Sequence, residues 1–376
     1  MNNHAKSVRA KPFRAKLTQA VSTQAASTRA NSTRAAFARA KSTQAASLIF
    51  SVILSCVGLL GTASVHAVWL DETQSIMGTQ VRVRLWHEDS SKAQSAIGAV
   101  MAEMHRIDAT LSPYIDTSEL ALVNLKAAKS PQVISAELAF LIEKSLFYSR
   151  VSHGAFDITY ASVGHHYDYR KKQAPSDSVR DELLPAINYR WLELGLGLDK
   201  KSSTLKFAHS NVKIDLGGIA KGYAVDRSIA ILQKFGVENA SVSAGGDSRL
   251  LGDRRGREWM VGIKNPRAEG TQSVMRLPLA NVAVSTSGDY ERYFIDEQGD
   301  RVHHIINPRT GKSASGLVSV TVLGDQGVDT DPLSTTVFVL GVEKGLALLD
   351  QLSGVDAILI DNKGKVHYSS GLVEPE

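Results

Sequence analysis

A single cysteine, Cys56, stands among the 376 residues, so neither a disulfide framework nor a thiolate zinc site is available, because each needs at least two thiols. No acidic residue precedes Asp71, whereas nine basic ones do: Lys6, Arg9, Lys11, Arg14, Lys16, Arg29, Arg34, Arg39 and Lys41. The net charge of +5 therefore divides into a leader of +9 and a body of −4, in which 34 of the 43 basic residues face 38 acidic ones. An acidic body gives no reason to expect nucleic acid as a partner. No run of eighteen apolar residues follows Leu70, which predicts a body without a spanning helix. A hydrophobic content of 43% rules out disorder of the whole chain, and the length suits one large domain or two modest ones.

Residues 1–47 are a basic, low-complexity leader of Ala, Ser, Thr, Gln, Lys and Arg, in which STQAAS occurs at 22 and again at 42. Residues 48–67 follow as a charge-free apolar run, Leu48 to Leu60, and a small-residue stretch ending Val65, His66, Ala67. This is the pattern of a secretory signal with cleavage after Ala67. Two alternatives share the segment. Ile53, Leu54, Ser55 and Cys56 have the shape of a lipoprotein processing site, and an Arg-rich, acid-free leader also suits an organelle transit peptide. Each reading exports the body, residues 69–376, from where it is made.

Within the body, Gln80 to Trp86 alternates Val81, Val83 and Leu85 with Arg82 and Arg84, the period of a half-buried strand. Ile97, Val100, Met101, Met104, Ile107 and Leu111 recur at helical spacing, as do Leu138, Leu141, Ile142 and Leu146. Arg170 to Glu182 reads as a polar linker. Short strands are then expected at Thr204–His209, Val212–Leu216, Ala240–Ala244, Trp259–Lys264, Asn281–Ser285, Arg292–Asp296, His303–Asn307 and Val318–Leu323, with helices at Ile219–Phe235 and Pro332–Leu340. Without a regular βαβ repeat, the fold class is α+β with a mainly antiparallel sheet and flanking helices.

Several stretches could carry chemistry. Lys213 to Asp226 (KIDLGGIAKGYAVD) runs from a strand through two glycines into a helix, which presents free backbone N–H groups beside the Asp215 carboxylate. It lacks the spacing of a dinucleotide fingerprint or a P-loop, and an ordinary glycine turn is the alternative. Lys221, one turn into the helix, is placed either to reach a ligand or to be solvated. In Asp329 to Thr335 (DTDPLST), Pro332 suits a first helical position, making Asp331 the N-cap and Thr335 its neighbour on the same face. A capping carboxylate is one reading and a hard-cation site of oxygen ligands the other. His303 and His304 would point to opposite faces of a strand and cannot both serve one site. SAGGD at 243 and STSGDYER at 285 are glycine turns that admit close approach of a ligand.

SPY (Ser112 to Tyr114) with SEL (Ser118 to Leu120), GAFDIT (Gly154 to Thr159), DLGGIAKGYAVD, AGGD, STSGDYERYF, HIINPRTG and DPLSTTVFVLG occur in one order after Met77, Gly78, Thr79. Together they resemble the ApbE family of FAD:protein FMN transferases. That resemblance implies a flavin held at Met77, Tyr114, Ala155, Phe156, Asp157, Asp215, Lys221 and Ile305. It implies magnesium held at Asp331 and Thr335 with a backbone oxygen of Gly218. The implied reaction is attack by a threonine or serine hydroxyl of an acceptor protein on the flavin-side phosphorus of FAD, leaving FMN as a phosphoester and releasing AMP. His304 is the candidate base, with Asp157 or Asp289 as alternatives. Implied partners are acceptors such as subunits of membrane redox complexes, with the enzyme in the periplasm or on the periplasmic face of the inner membrane, where the N-terminal segment could attach it. Asn307 stands where the family pattern carries Asp. An FAD pyrophosphatase using water as nucleophile, and an FAD carrier without catalysis, are the rival functions.

Overall fold

A computed structural model describes residues 68–197, 202–267 and 272–373, so the leader, Cys56 and the expected cleavage point after Ala67 lie outside the described residues. The chain opens with strands β1 (Val68–Ile76) and β2 (Thr79–His87), followed by helices α1 (Ser90–Leu111) and α2 (Glu119–Lys126), strand β3 (Gln132–Val133) and helix α3 (Ala136–Val151). Two short helices, α4 (Ala161–Gly164) and α5 (Asp177–Leu183), lead to β4 (Leu192–Gly195), β5 (Thr204–Phe207) and helix α6 (Ala220–Lys234). Strands β6 (Asn239–Ala244), β7 (Asp247–Leu251), β8 (Trp259–Lys264), β9 (Ser273–Leu279), β10 (Ala283–Gly288), β11 (Tyr293–Ile295), β12 (Arg301–His303) and β13 (Leu317–Gly324) come next. Helices α7 (Gly327–Leu340) and α8 (Val342–Leu349) and strands β14 (Asp356–Asp361) and β15 (Val366–Tyr368) complete the order.

Eight strands form one sheet in the order β1-β2-β6-β7-β10-β13-β14-β15, every neighbouring pair antiparallel. The α+β class expected from the sequence holds. Val81, Val83 and Leu85 of β2 are buried against α1 and α6 residues such as Ile97, Val100 and Ala224, while Arg82 and Arg84 face outward and share Asp71. In β13 all eight residues are buried, because the sheet is covered on both sides there. Val320 and Val322 join the helical core. Leu323 joins a second cluster in which Trp259, Ile263, Leu277 and Leu279 of the β8–β9 ribbon cover Leu250, Val284 and Ile358.

Several expectations about local structure fail. Val212 to Leu216 is not a strand, because its backbone groups bond to side chains and a loop. Asn124 takes both the N–H and the carbonyl of Ile214, Ser162 takes Lys213 N–H, and Asp215 N–H bonds Ile158 O at 3.0 Å. The strand placed at His303–Asn307 instead ends at His303. The polar stretch from Arg170 carries helix α5, capped by Ser176.

Helix α7 begins at Gly327 and contains Pro332, so Pro332 is not its first residue and Asp331 is not its N-cap. The cap comes from α6 instead. Asp226 accepts Gly327 N–H at 2.8 Å and Val328 N–H at 2.9 Å. In return Asp331 Oδ2 accepts the N–H of Gly222, in the first turn of α6, at 3.0 Å. Each helix thus supplies a carboxylate to amides that the other helix leaves unpaired at its start. The exchange needs backbone contact: a methyl group built on Gly222 would collide with Gly327 O, and one on Gly327 with Gly222 O.

Gly222→Ala should therefore destabilise the fold by about 3 kcal/mol or more, whereas Gly98→Ala, at an exposed site in α1 with nothing within 4 Å of the added carbon, should stabilise it by about 0.5–1 kcal/mol. Denaturant unfolding of the two variants checks this; equal effects would remove the close crossing.

Candidate functional site

The paired helices bring two buried carboxylates onto one lysine. Lys221, the second residue of α6, holds its Nζ 3.0 Å from Asp247 Oδ2 and 3.4 Å from Asp331 Oδ2, and donates to Gly217 O at 2.9 Å. The solvated alternative for Lys221 is thereby overturned. Burial opposes its charge, yet the two carboxylates outweigh burial and hold its pKa above the ordinary lysine value. The Asp331 pKa is raised as well, here against its charged form: burial raises it, the Asp247 charge adds to this, and Lys221 with the Gly222 N–H only partly offsets it.

Thr335 lies one turn beyond Asp331, and Ser287 Oγ of β10 meets Ser334 Oγ at 2.8 Å and Thr335 Oγ1 at 3.3 Å. A Cβ on Gly218 would stand 3.6 Å from Thr335 Oγ1 and 3.1 Å from the Phe156 ring. Gly218, Thr335, Asp331 and Phe156 are thus neighbours, although they come from three separate stretches of sequence. Asp215 sits at the same helix start, its Oδ1 accepting Gly217 N–H at 2.6 Å.

Asp157, with buried Ala155 and Phe156 before it, caps the turn Ile158–Tyr160. Its Oδ1 accepts from Thr159 N–H at 2.9 Å and Thr159 Oγ1 at 2.6 Å, and its Oδ2 from Tyr189 N–H at 2.7 Å. Burial nevertheless raises its pKa. Asp289 is held by Arg267 at 2.9 and 2.7 Å through both carboxylate oxygens. His303 faces the core, its Nε2 on Ala314 O at 2.8 Å and its ring edge-on to Phe338. His304 differs: its Nδ1 is buried without a hydrogen-bond partner. Burial, reinforced by the Arg292, His303 and Lys221 charges, pushes its pKa down to about 3, so the ring is neutral at physiological pH.

Met77 and Gly78 form the two-residue tip of the β1–β2 hairpin, with φ of 56° and 68°. A left-handed methionine is strained, and Asp108 Oδ2 holds its N–H at 3.1 Å. Arg292 ties this tip to the rest: its Nη2 donates to Gly78 O at 3.2 Å, and its carbonyl accepts His304 N–H at 3.1 Å. Ile305 beyond it is buried. Tyr114 is 76% exposed and tilts toward His165, with ring centroids 6.2 Å apart. Sequence reasoning left Asp247 and Arg292 without roles. The signal for Asp247 is its place at the end of AGGD, where Gly246 packs directly on the Thr286 carbonyl.

The model of the ApbE family matches residues 77–359. The chain belongs to the ApbE family. It is 32% identical over 313 residues to the FAD:protein FMN transferase of Treponema pallidum, covering 80% of this chain and 86% of that one. The Haemophilus influenzae FAD:protein FMN transferase is 31% identical over 307 residues, covering 78% and 87%. Among solved structures, the ApbE protein of Thermotoga maritima superposes with a TM-score of 0.72 at 32% identity, covering 82% of this chain and 100% of that one. The flavin transferase ApbE of Vibrio cholerae gives 0.71 at 27% identity, covering 81% and 98%. The matched span opens at the Met77 tip and takes in every motif gathered at the site.

The Asp331 pKa, raised in the fold, contributes stability that is complete below the ordinary aspartate value and is lost as the pH rises through the folded value. Relative to Asp331→Asn, the wild type should lose Tm between about pH 4 and about pH 7, and magnesium should restore it. A Tm difference indifferent to both pH and magnesium would remove Asp331 from a cation site.

Proposed function

We propose that the protein transfers the FMN moiety of FAD to a threonine or serine hydroxyl of acceptor proteins, with magnesium, releasing AMP. The observation that carries this reading is the junction of Asp331, Thr335 and Gly218 with the start of α6. A carboxylate, a hydroxyl and a backbone carbonyl there offer oxygen donors alone, the set a hard cation takes. The fit is supported by the crowding of Asp247 and Asp331 against one lysine, where burial opposes the Asp331 charge that a divalent cation would stabilise. Magnesium bound to Asp331, Thr335 and Gly218 would supply neutralisation of pyrophosphate charge.

The remaining chemistry falls to the chain. Lys221, fixed by Asp247 and Gly217, stays charged beside the anionic linkage. Phe156, Ile305 and Met77 offer apolar surface for a flavin ring, and Asp157 and Asp215 brace the turns that present them. Of the three candidate bases, Asp157 and Asp289 have both oxygens engaged, whereas His304 keeps an unpartnered ring nitrogen. His304 is the proposed acceptor of the hydroxyl proton. Burial and the Arg292 and Lys221 charges make it a weak base, and an anionic phosphate would counter those charges. Export to the periplasm, with subunits of membrane redox complexes as acceptors, is part of the proposal. Export rests on the leader, and a protein acceptor on the name FAD:protein FMN transferase that the relatives carry.

After incubation with FAD, magnesium and an acceptor carrying a threonine flavinylation sequence, the acceptor should retain flavin fluorescence through denaturing electrophoresis. Free FMN and AMP without labelled acceptor would establish the pyrophosphatase instead, and FAD recovered intact would leave a carrier. Asp331→Asn keeps an acceptor for Gly222 N–H but drops the charge, so turnover should fall about 100-fold or more while FAD affinity is retained. His304→Gln should lower kcat by about 100-fold at unchanged FAD affinity; an unchanged kcat would return the base role to water or another group.

A further inference from the structure

One surface far from these motifs combines aromatic rings with arginine and follows directly on the leader. Trp69 and Trp86 are directly paired across β1 and β2 and therefore share one face of the sheet. Trp69 is 37% exposed and meets the ring of Trp259 edge-on, with centroids 5.6 Å apart. The turn between β7 and β8 folds over them. Arg254 lies 5.9 Å from the Trp69 ring centroid and Arg255 lies 3.7 Å from that of Trp86. Arg255 and Gly256 adopt positive φ, which closes a tight turn with Arg254 N–H on Arg257 O, and all three arginines are exposed. Arg82 and Arg84 of the same face are ion-paired with Asp71, so five arginines gather at this corner.

We infer that this face docks on an anionic phospholipid surface. The exposed Trp69 and the half-buried Trp86, each with a guanidinium group over its ring, suit the headgroup level of a bilayer, where an indole sits between apolar and polar surroundings and arginine meets phosphate. The position in the chain supplies the second argument. The apolar run Leu48 to Leu60 ends only eight residues before Trp69, a reach of at most about 30 Å. In a chain that retains that run, uncleaved at Ala67, this corner is the part of the body tethered nearest the membrane. The inference goes beyond flavin transfer and does not depend on it.

The test uses the full chain reconstituted into phosphatidylcholine vesicles containing dibrominated lipid, with and without phosphatidylglycerol. Because the apolar run enters both kinds of vesicle, the readout is quenching of tryptophan emission. Anionic lipid should raise the docked-to-undocked ratio about 100-fold, high salt should reverse it, and Trp69→Phe should remove much of the quenched emission. The triple variant Arg254→Gln, Arg255→Gln, Arg257→Gln should lose the response while keeping the wild-type Tm and transfer activity. Quenching that ignores lipid charge, or that survives in the triple variant, overturns the inference. So does an oligonucleotide that binds through these arginines while anionic vesicles leave the emission unchanged.

Discussion

The exchange of carboxylates between α6 and α7 is the constraint on which the site depends. Asp226 satisfies the first amides of α7, and Asp331 satisfies the Gly222 amide of α6. Hydrogen bonds of this kind, to a charged acceptor, contribute on the order of 1.5–3 kcal/mol each. Only glycine at 222 and at 327 lets the two backbones approach closely enough to make them. The same contact sets Asp331 and Thr335 of one helix against Gly218 and Lys221 of the other, so stability and site geometry share one joint.

That joint concentrates unfavourable charge. Two buried carboxylates converge on one ammonium, and Asp331 is held above its normal pKa range by burial and by Asp247. A protein selected only for stability gains little from such an arrangement, since burying charge costs more than a well-packed apolar substitute. The hairpin tip carries a similar cost in another form. Met77 occupies a left-handed conformation that Asn or Gly adopts more readily, and it is kept there by Asp108. Strain and desolvated charge thus gather on residues of the recurring motifs, where a bound phosphate, cation and ring would draw on them.

Much of this was legible in the sequence because regular patterns report regular burial. Alternation in β2 and the helical spacing of α1 each follow from which faces the sheet and helices cover. The exchange of caps was not legible. A carboxylate before a proline reads locally as its own helix's cap, and only the tertiary fold shows that Asp331 serves α6 while Asp226, far earlier in the chain, serves α7. The failure at Val212–Leu216 has the same origin: an extended, apolar stretch whose hydrogen bonds go to Asn124 and Ser162 is indistinguishable by period from a strand. The opposite facing of His303 and His304 was readable. Which of them keeps a free nitrogen depended on Ala314 O lying beside His303.

Charge, too, acts by place and not by total. The body is net acidic, yet Lys221, Arg292 and the amide end of α6 face the region where the proposed pyrophosphate would lie. The sheet corner beside Trp69 gathers five arginines. At physiological ionic strength interactions between exposed charges fade over about 8 Å, so neither region is governed by the −4 of the whole. The corner lies at the end of the β1–β2 hairpin where the body begins at Val68. The flavin-site motifs reach that end of the chain only at Met77, on the opposite end of the β1–β2 hairpin from Trp69 and Trp86. Docking through the corner would therefore leave the hairpin tip, with Arg292 and His304 behind it, away from the lipid and open to an acceptor protein.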